Sequence, residues 1–136
     1  MERSIRSVLM IHDDPALVRL VTTVVRRDRG TVTATRDSIG GLELARDLKP
    51  DVLLCDAEMP KLSGAEVIEL LKSHSATAQI PVVLMSGSSD AHVFAHVQWA
   101  GFLGKPFTGE ELLSALRNAA AAAAAPIAEN APAATN

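Results

Sequence analysis

Five side chains in this sequence have types and positions that could do chemistry together: Asp13, Asp14, Asp56, Ser86 and Lys105 each stand just past a short apolar run. Three carboxylates brought to one point would repel each other, raise each other's pKa and require a cation between them. A hard divalent ion suits them: Mg²⁺ takes oxygen ligands octahedrally, keeps several waters and favours one or two carboxylates plus a phosphate. A lysine beside phosphoryl oxygens offsets negative charge developing during transfer, and a serine hydroxyl can donate to the same oxygens. The set therefore points to metal-assisted phosphate chemistry. Taken singly, each residue has a plainer reading. Asp14 before Pro15 is a helix N-cap, Asp56 and Ser86 suit turns after strands, and Lys105 suits an exposed loop. Asp56 is the hardest to explain that way, because it ends the wholly apolar run Val52-Leu53-Leu54-Cys55, where a charge needs a reason.

Only a shared scaffold can make five such distant residues converge. Val8 to Ile11, Thr31 to Ala34, Val52 to Cys55, Val82 to Met85 and Gly101 to Gly104 read as strands, each followed by a candidate helix. Runs that are apolar throughout, rather than alternating, belong to a parallel sheet covered by helices on both faces. The expectation is an α/β fold: a (βα)5 doubly wound parallel sheet in a single domain, with strand order 2-1-3-4-5. In such sheets the loops at the carboxyl ends of the strands form the ligand crevice, and the five residues all fall there. Helix starts carry their own marks: Asp14-Pro15, Ser63 with Glu66, and Thr108 with Glu111, the last two at capping-box spacing. The second helix, about Ile39 to Leu48, contains Gly40 and Gly41 and has the poorest propensity.

Thirteen Lys and Arg against 16 Asp and Glu leave a net charge of −3, which argues against direct nucleic-acid binding. The single cysteine, Cys55, has no partner for an internal disulfide, and a reducing cytoplasm suits it. The apolar stretch near the N-terminus is far too short for a membrane span. Residues 1–120 are expected to form the domain. Residues 121–136 are an Ala/Pro-rich tail or truncated linker, helical in its alanines and disordered beyond 126, since Pro126 stops the last helix.

Asp13-Asp14-Pro15, Pro50 to Asp56 followed by Met59-Pro60 and Gly64, Ser86-Gly87, and Phe102 to Phe107 resemble the successive signatures of response-regulator receiver domains of two-component signalling, over roughly residues 5 to 120. The resemblance implies a flavodoxin-like fold and a phosphorylation switch that is not a turnover enzyme. It implies that Asp56 accepts a phosphoryl group from a phosphohistidine of a sensor histidine kinase or phosphotransfer protein. Asp14 and Asp56 with the Glu58 backbone carbonyl would bind Mg²⁺, or Mn²⁺ in its place, and Asp13 would assist through water. Lys105 would pair with the phosphoryl oxygens, beside a cis Lys105-Pro106 bond, while Ser86 closes on the phosphate and Phe102 turns inward as the switch. A downstream output protein or effector domain is the implied partner.

The sequence also departs from the pattern. The stretch between Ser86 and Lys105 is short, Gln98-Trp99-Ala100 stands before the last strand where a Gly-Ala pair is customary, and His12 stands beside the expected pocket, where its charge near neutral pH could tune the site. These departures keep a second reading open, a non-phosphorylated receiver-like interaction scaffold with an atypical fourth helix. His92 and His96 have i, i+4 spacing, which fits an exposed helix face better than a metal site. A dehalogenase-like phosphatase would need an aspartate where Glu58 stands, and a flavin binder would need a glycine- and hydroxyl-rich loop after the first strand in place of an acidic one.

Overall fold

A computed structural model describes residues 5–12, 14–59, 61–87 and 97–124. The elements in chain order are β1 (Ser7–Ile11), α1 (Pro15–Arg27), β2 (Thr31–Thr35), α2 (Ser38–Leu48), β3 (Val52–Asp56), α3 (Gly64–Lys72), β4 (Val82–Ser86), β5 (Gly101–Gly104) and α4 (Gly109–Ala124). The five strands form one sheet in the order β2-β1-β3-β4-β5, parallel at every pairing. The fold class expected from the sequence is the one observed. The fourth helix of the expected repeat, with His92 and His96, lies outside the described residues, as do Asp13, Pro60 and the tail from residue 125.

Successive side chains of a strand point to opposite faces, and the inner strands use both. Val8, Met10, Val52, Leu54, Val83 and Met85 pack with Val21, Val24 and Val25 of α1 and with Leu112, Leu116, Ala119 and Ala120 of α4. Leu9, Ile11, Leu53, Cys55, Val82 and Leu84 pack on the other face with Ala45 of α2 and Val67, Ile68 and Leu71 of α3. This is why β3 and β4 are buried at all five positions. The edge strand β2 is different: none of its residues is fully buried, which explains its Thr-Val-Thr-Ala-Thr sequence.

The helix starts follow the sequence marks. Asp14 caps α1, its Oδ1 accepting from Ala16 N at 3.0 Å, and Pro15 opens the helix. Ser63 and Glu66 form a complete capping box on α3, and Thr108 and Glu111 exchange the same pair of bonds at α4. The helix of poorest propensity, α2, has a packing reason for Gly41: a Cβ there would stand 2.5 Å from Ile11 Cδ1. The glycine lets α2 lie close on β1. In α4, Ala119 and Ala120 are buried while residues 121–123 are exposed, and the helix runs on to Ala124.

Candidate phosphoacceptor site

Backbone bonds carry the sheet past its strand ends and fix the site. His12 N donates to Thr35 O at 3.0 Å, Ala57 N to Met85 O at 2.7 Å, and Lys105 N to Ser86 O at 2.7 Å. Gly64 seats α3 beneath Asp56, since a Cβ there would meet Leu84 Cδ2 at 2.6 Å and Ala57 Cα at 2.8 Å. His12, Asp56, Ser86 and Lys105 thus reach one end of the sheet from β1, β3, β4 and β5.

Asp56 is 6% exposed and is surrounded by donors. Its Oδ2 lies 2.6 Å from Lys105 Nζ and 2.7 Å from His12 Nε2, and its Oδ1 accepts from Glu58 N at 2.8 Å. His12 Nδ1 accepts from Asp14 N at 2.9 Å, so the ring proton sits on Nε2 and is donated to Asp56. Lys105 Nζ and His12 Nε2 are 3.3 Å apart because two donors share one acceptor. Burial pushes the Asp56 carboxyl up, but the hydrogen bonds from His12, Lys105 and Glu58 N and the Lys105 charge together outweigh it and hold the group at about 2.

Asp56 and Lys105 therefore meet as expected, but the crowd of acids does not form among the described residues. The Asp14 carboxylate is exposed and turned to the start of α1, because the N-terminal amides of that helix need an acceptor. The carboxyl of Asp56 is accordingly lowered by donors, not raised by like charges. Asp13 lies outside the described residues. Ser86 is fully buried, and its hydroxyl donates at 2.6 Å to Glu58 Oε2, not to Asp56. Phe102 is half-buried and tilted against Trp99 at a ring-centroid distance of 5.7 Å. The Lys105-Pro106 peptide bond is cis.

Two residues do more than the sequence suggested. His12 was placed beside the pocket and is in it, and Glu58, expected only through its backbone carbonyl, holds Ser86 with its side chain. A histidine directly after an apolar strand was the available signal for the first. The second had none, because the bond joins residues 28 positions apart.

Mg²⁺ prefers an all-oxygen environment, whereas the Asp56 carboxylate is surrounded by three N–H donors. As arranged, they do not fit a divalent ion, and no cluster of three or more acids, histidines or cysteines suited to a metal occurs among them.

The whole of this architecture has a counterpart in known proteins, for residues 8–117 match the response regulator receiver domain family. The chain belongs to that family. Receiver domains are signalling switches of two-component systems, and that coarse function comes with membership. The DNA-binding dual master transcriptional regulator RpaA of Synechocystis is 34% identical over 81% of this chain and 47% of its own length. The hybrid signal transduction histidine kinase D of Dictyostelium discoideum is 31% identical over 82% of this chain and 7% of its own length. This receiver chain thus spans about half of the first relative and a small part of the second. The receiver domain of the sensor histidine kinase PA1611 from Pseudomonas aeruginosa, solved with magnesium in its active-site cleft, is 19% identical with a TM-score of 0.76, covering 85% of this chain and 98% of that one. It shares the fold. No helix among the described residues is long and apolar enough to cross a membrane.

Proposed function

We propose that this receiver is a phosphorylation switch in which Asp56 accepts a phosphoryl group from a phosphohistidine of a sensor histidine kinase or phosphotransfer protein. The observation that carries the reading is Lys105 Nζ at 2.6 Å from a buried carboxylate at the end of an apolar strand. A carboxyl held at about 2 is ionised at neutral pH and therefore nucleophilic. An Asp56 oxygen attacks phosphorus, an O–P bond forms, the N–P bond of the donor breaks, and its electron pair stays on the donor nitrogen. Lys105 follows the charge onto the phosphoryl oxygens. Ser86, on leaving Glu58, donates to the same group, and Phe102 moves into the space so opened.

The cofactor in this reading is Mg²⁺, with Mn²⁺ as a substitute; its candidate ligands are Asp13, Asp14, Asp56 and the Glu58 carbonyl, and Asp14 and Asp56 would have to leave the partners they hold in the resting protein to bind it. The Asp13-Asp14 pair and the magnesium in the Pseudomonas receiver support it. The domain spans residues 1–120, works in the cytoplasm, and passes its state to an output protein or effector domain without touching nucleic acid or membrane itself.

Acetyl phosphate with Mg²⁺ should add one phosphoryl group to the intact protein, read by mass spectrometry, and Asp56→Asn should take none. Labelling of that variant at the unaltered rate would end the assignment. A second reading, the non-phosphorylated scaffold, draws support from the fact that both Asp56 oxygens already have protein partners. Beryllofluoride that leaves Trp99 fluorescence unchanged would favour it.

A further inference from the structure

His12 is the residue whose placement the phosphoacceptor reading leaves unused. It is 4% exposed, and both ring nitrogens are engaged by the protein. One edge of the ring is fixed by the Asp14 amide at the start of α1, the other by Asp56. Such a ring is oriented from both sides, and its tautomer is set by the amide, which cannot accept a proton and so obliges Nδ1 to.

We propose that His12 is a positioning residue for Asp56, holding its Oδ2 with a neutral N–H donor and so taking over work a divalent cation would otherwise do there. This rests on the reading of Asp56 as the phosphoacceptor. Lys105 supplies the full charge that balances the carboxylate, and His12 and Glu58 N supply further donors without adding charge. A buried carboxylate with three donors has little remaining need of a cation. The imidazole N–H also points at the oxygen a hard ion would need, and imidazole in this tautomer offers such an ion no lone pair on that side. The outcome is a receiver whose Asp56 is ordered before Mg²⁺ arrives, and in which the ion has to displace the His12 N–H to reach Oδ2.

The test compares wild type with His12→Gln, whose amide keeps an N–H at similar reach, and His12→Asp, which replaces the donor with an acceptor facing Asp56. Calorimetric titration with Mg²⁺ alone should show His12→Asp binding about tenfold or more tightly than wild type, with His12→Gln close to wild type. Long-range nitrogen correlations of the wild-type imidazole should show Nε2 protonated and Nδ1 bare, with the Nε2 resonance moving in Asp56→Asn. Equal Mg²⁺ affinity in all three proteins, or a ring protonated on Nδ1, would overturn the proposal. The ring spectrum decides even where an aspartate at position 12 prevents folding. Failure of wild type to take a phosphoryl group from acetyl phosphate is a separate result: it removes the phosphoacceptor reading, while the titration and the ring spectrum still decide the hold of His12 on Asp56.

Discussion

The two ends of the sheet both carry buried or half-buried aspartates, and they treat them differently. At the amino end, Asp51 Oδ2 accepts from the amides of Arg6 and Ser7 at 2.8 and 3.3 Å, and Asp28 accepts from Ile5 N at 3.2 Å and from the Arg117 guanidinium. At the carboxyl end, Asp56 has one amide, from Glu58, and two side-chain donors, from Lys105 and His12. Asp51, whose carboxylate takes only backbone amides among the described residues, cannot change these partners unless the backbone moves. A carboxylate held by side chains can exchange them by rotation. The amino end is built to stay, and the carboxyl end is built to change, although both lower a carboxyl pKa.

The largest expected effect comes from breaking the movable side of this contrast. Lys105→Ala removes the only full positive charge that the described residues place on Asp56. Phosphoryl uptake from acetyl phosphate should fall on the order of 100-fold. Retention of the wild-type rate would mean that the charge is not used in transfer. The fixed side should respond in the opposite way. Asp28→Ala leaves the Arg117 guanidinium and the Ile5 amide without this acceptor and should cost about 2 kcal/mol in urea unfolding. Its phosphoryl uptake should stay at the wild-type level, and a parallel loss of uptake would erase the distinction between the two ends.

Acid should separate them as well. The folded-state carboxyl of Asp56 lies at about 2, below the ordinary 3.8, so its stabilising contribution is complete above about 4 and is lost as pH falls towards 2. Measured as the difference in unfolding free energy between wild type and Asp56→Asn, the pH-dependent part should be about 2 kcal/mol. Asp28 is lowered too, chiefly by its bond from Arg117, but it is present in both proteins and cancels. A difference that is flat across this range would show that His12 and Lys105 do not favour the ionised form.

Much of the fixed architecture is legible in the sequence, because it rests on local rules. The runs at Val52 and Val82 are apolar throughout since α1 and α4 cover one face and α2 and α3 the other. Asp14-Pro15, Ser63 with Glu66 and Thr108 with Glu111 mark their helices through bonds spanning three residues or fewer. The start of α2 was harder to read: its cap is Asp37, two residues before the expected first position, and the helix begins at Ser38. The end of α2 carries no glycine either, since Lys49 itself takes the left-handed conformation at φ 49°. At the site, the sequence brings Asp56 and Lys105 together through topology alone, because each ends or follows a strand. It does not show which way a side chain turns. Asp14 faces its own helix, Ser86 faces Glu58, and His12 faces Asp56, three choices made by packing and competing donors in the folded protein.

The smallest effect on stability, and the finest probe of the contrast, is at Ser86. Its hydroxyl is buried, but the carboxylate it serves belongs to exposed Glu58, which water can satisfy once the bond is gone. Ser86→Ala should therefore cost only about 0.5 to 1 kcal/mol in urea unfolding, less than Asp28→Ala. The consequence for switching should be much larger than that figure suggests. On the proposed reading a phosphoryl group on Asp56 draws the hydroxyl across from Glu58, and the alanine variant has nothing to draw. Trp99, packed on Phe102 beside β5, should then lose its fluorescence response to beryllofluoride. Glu58→Gln should do the reverse, since a neutral amide holds the hydroxyl less strongly than a carboxylate, and the response should appear at lower beryllofluoride. If both variants respond like wild type, the Ser86–Glu58 bond is only a packing contact, and this part of the carboxyl end is as fixed as the amino end.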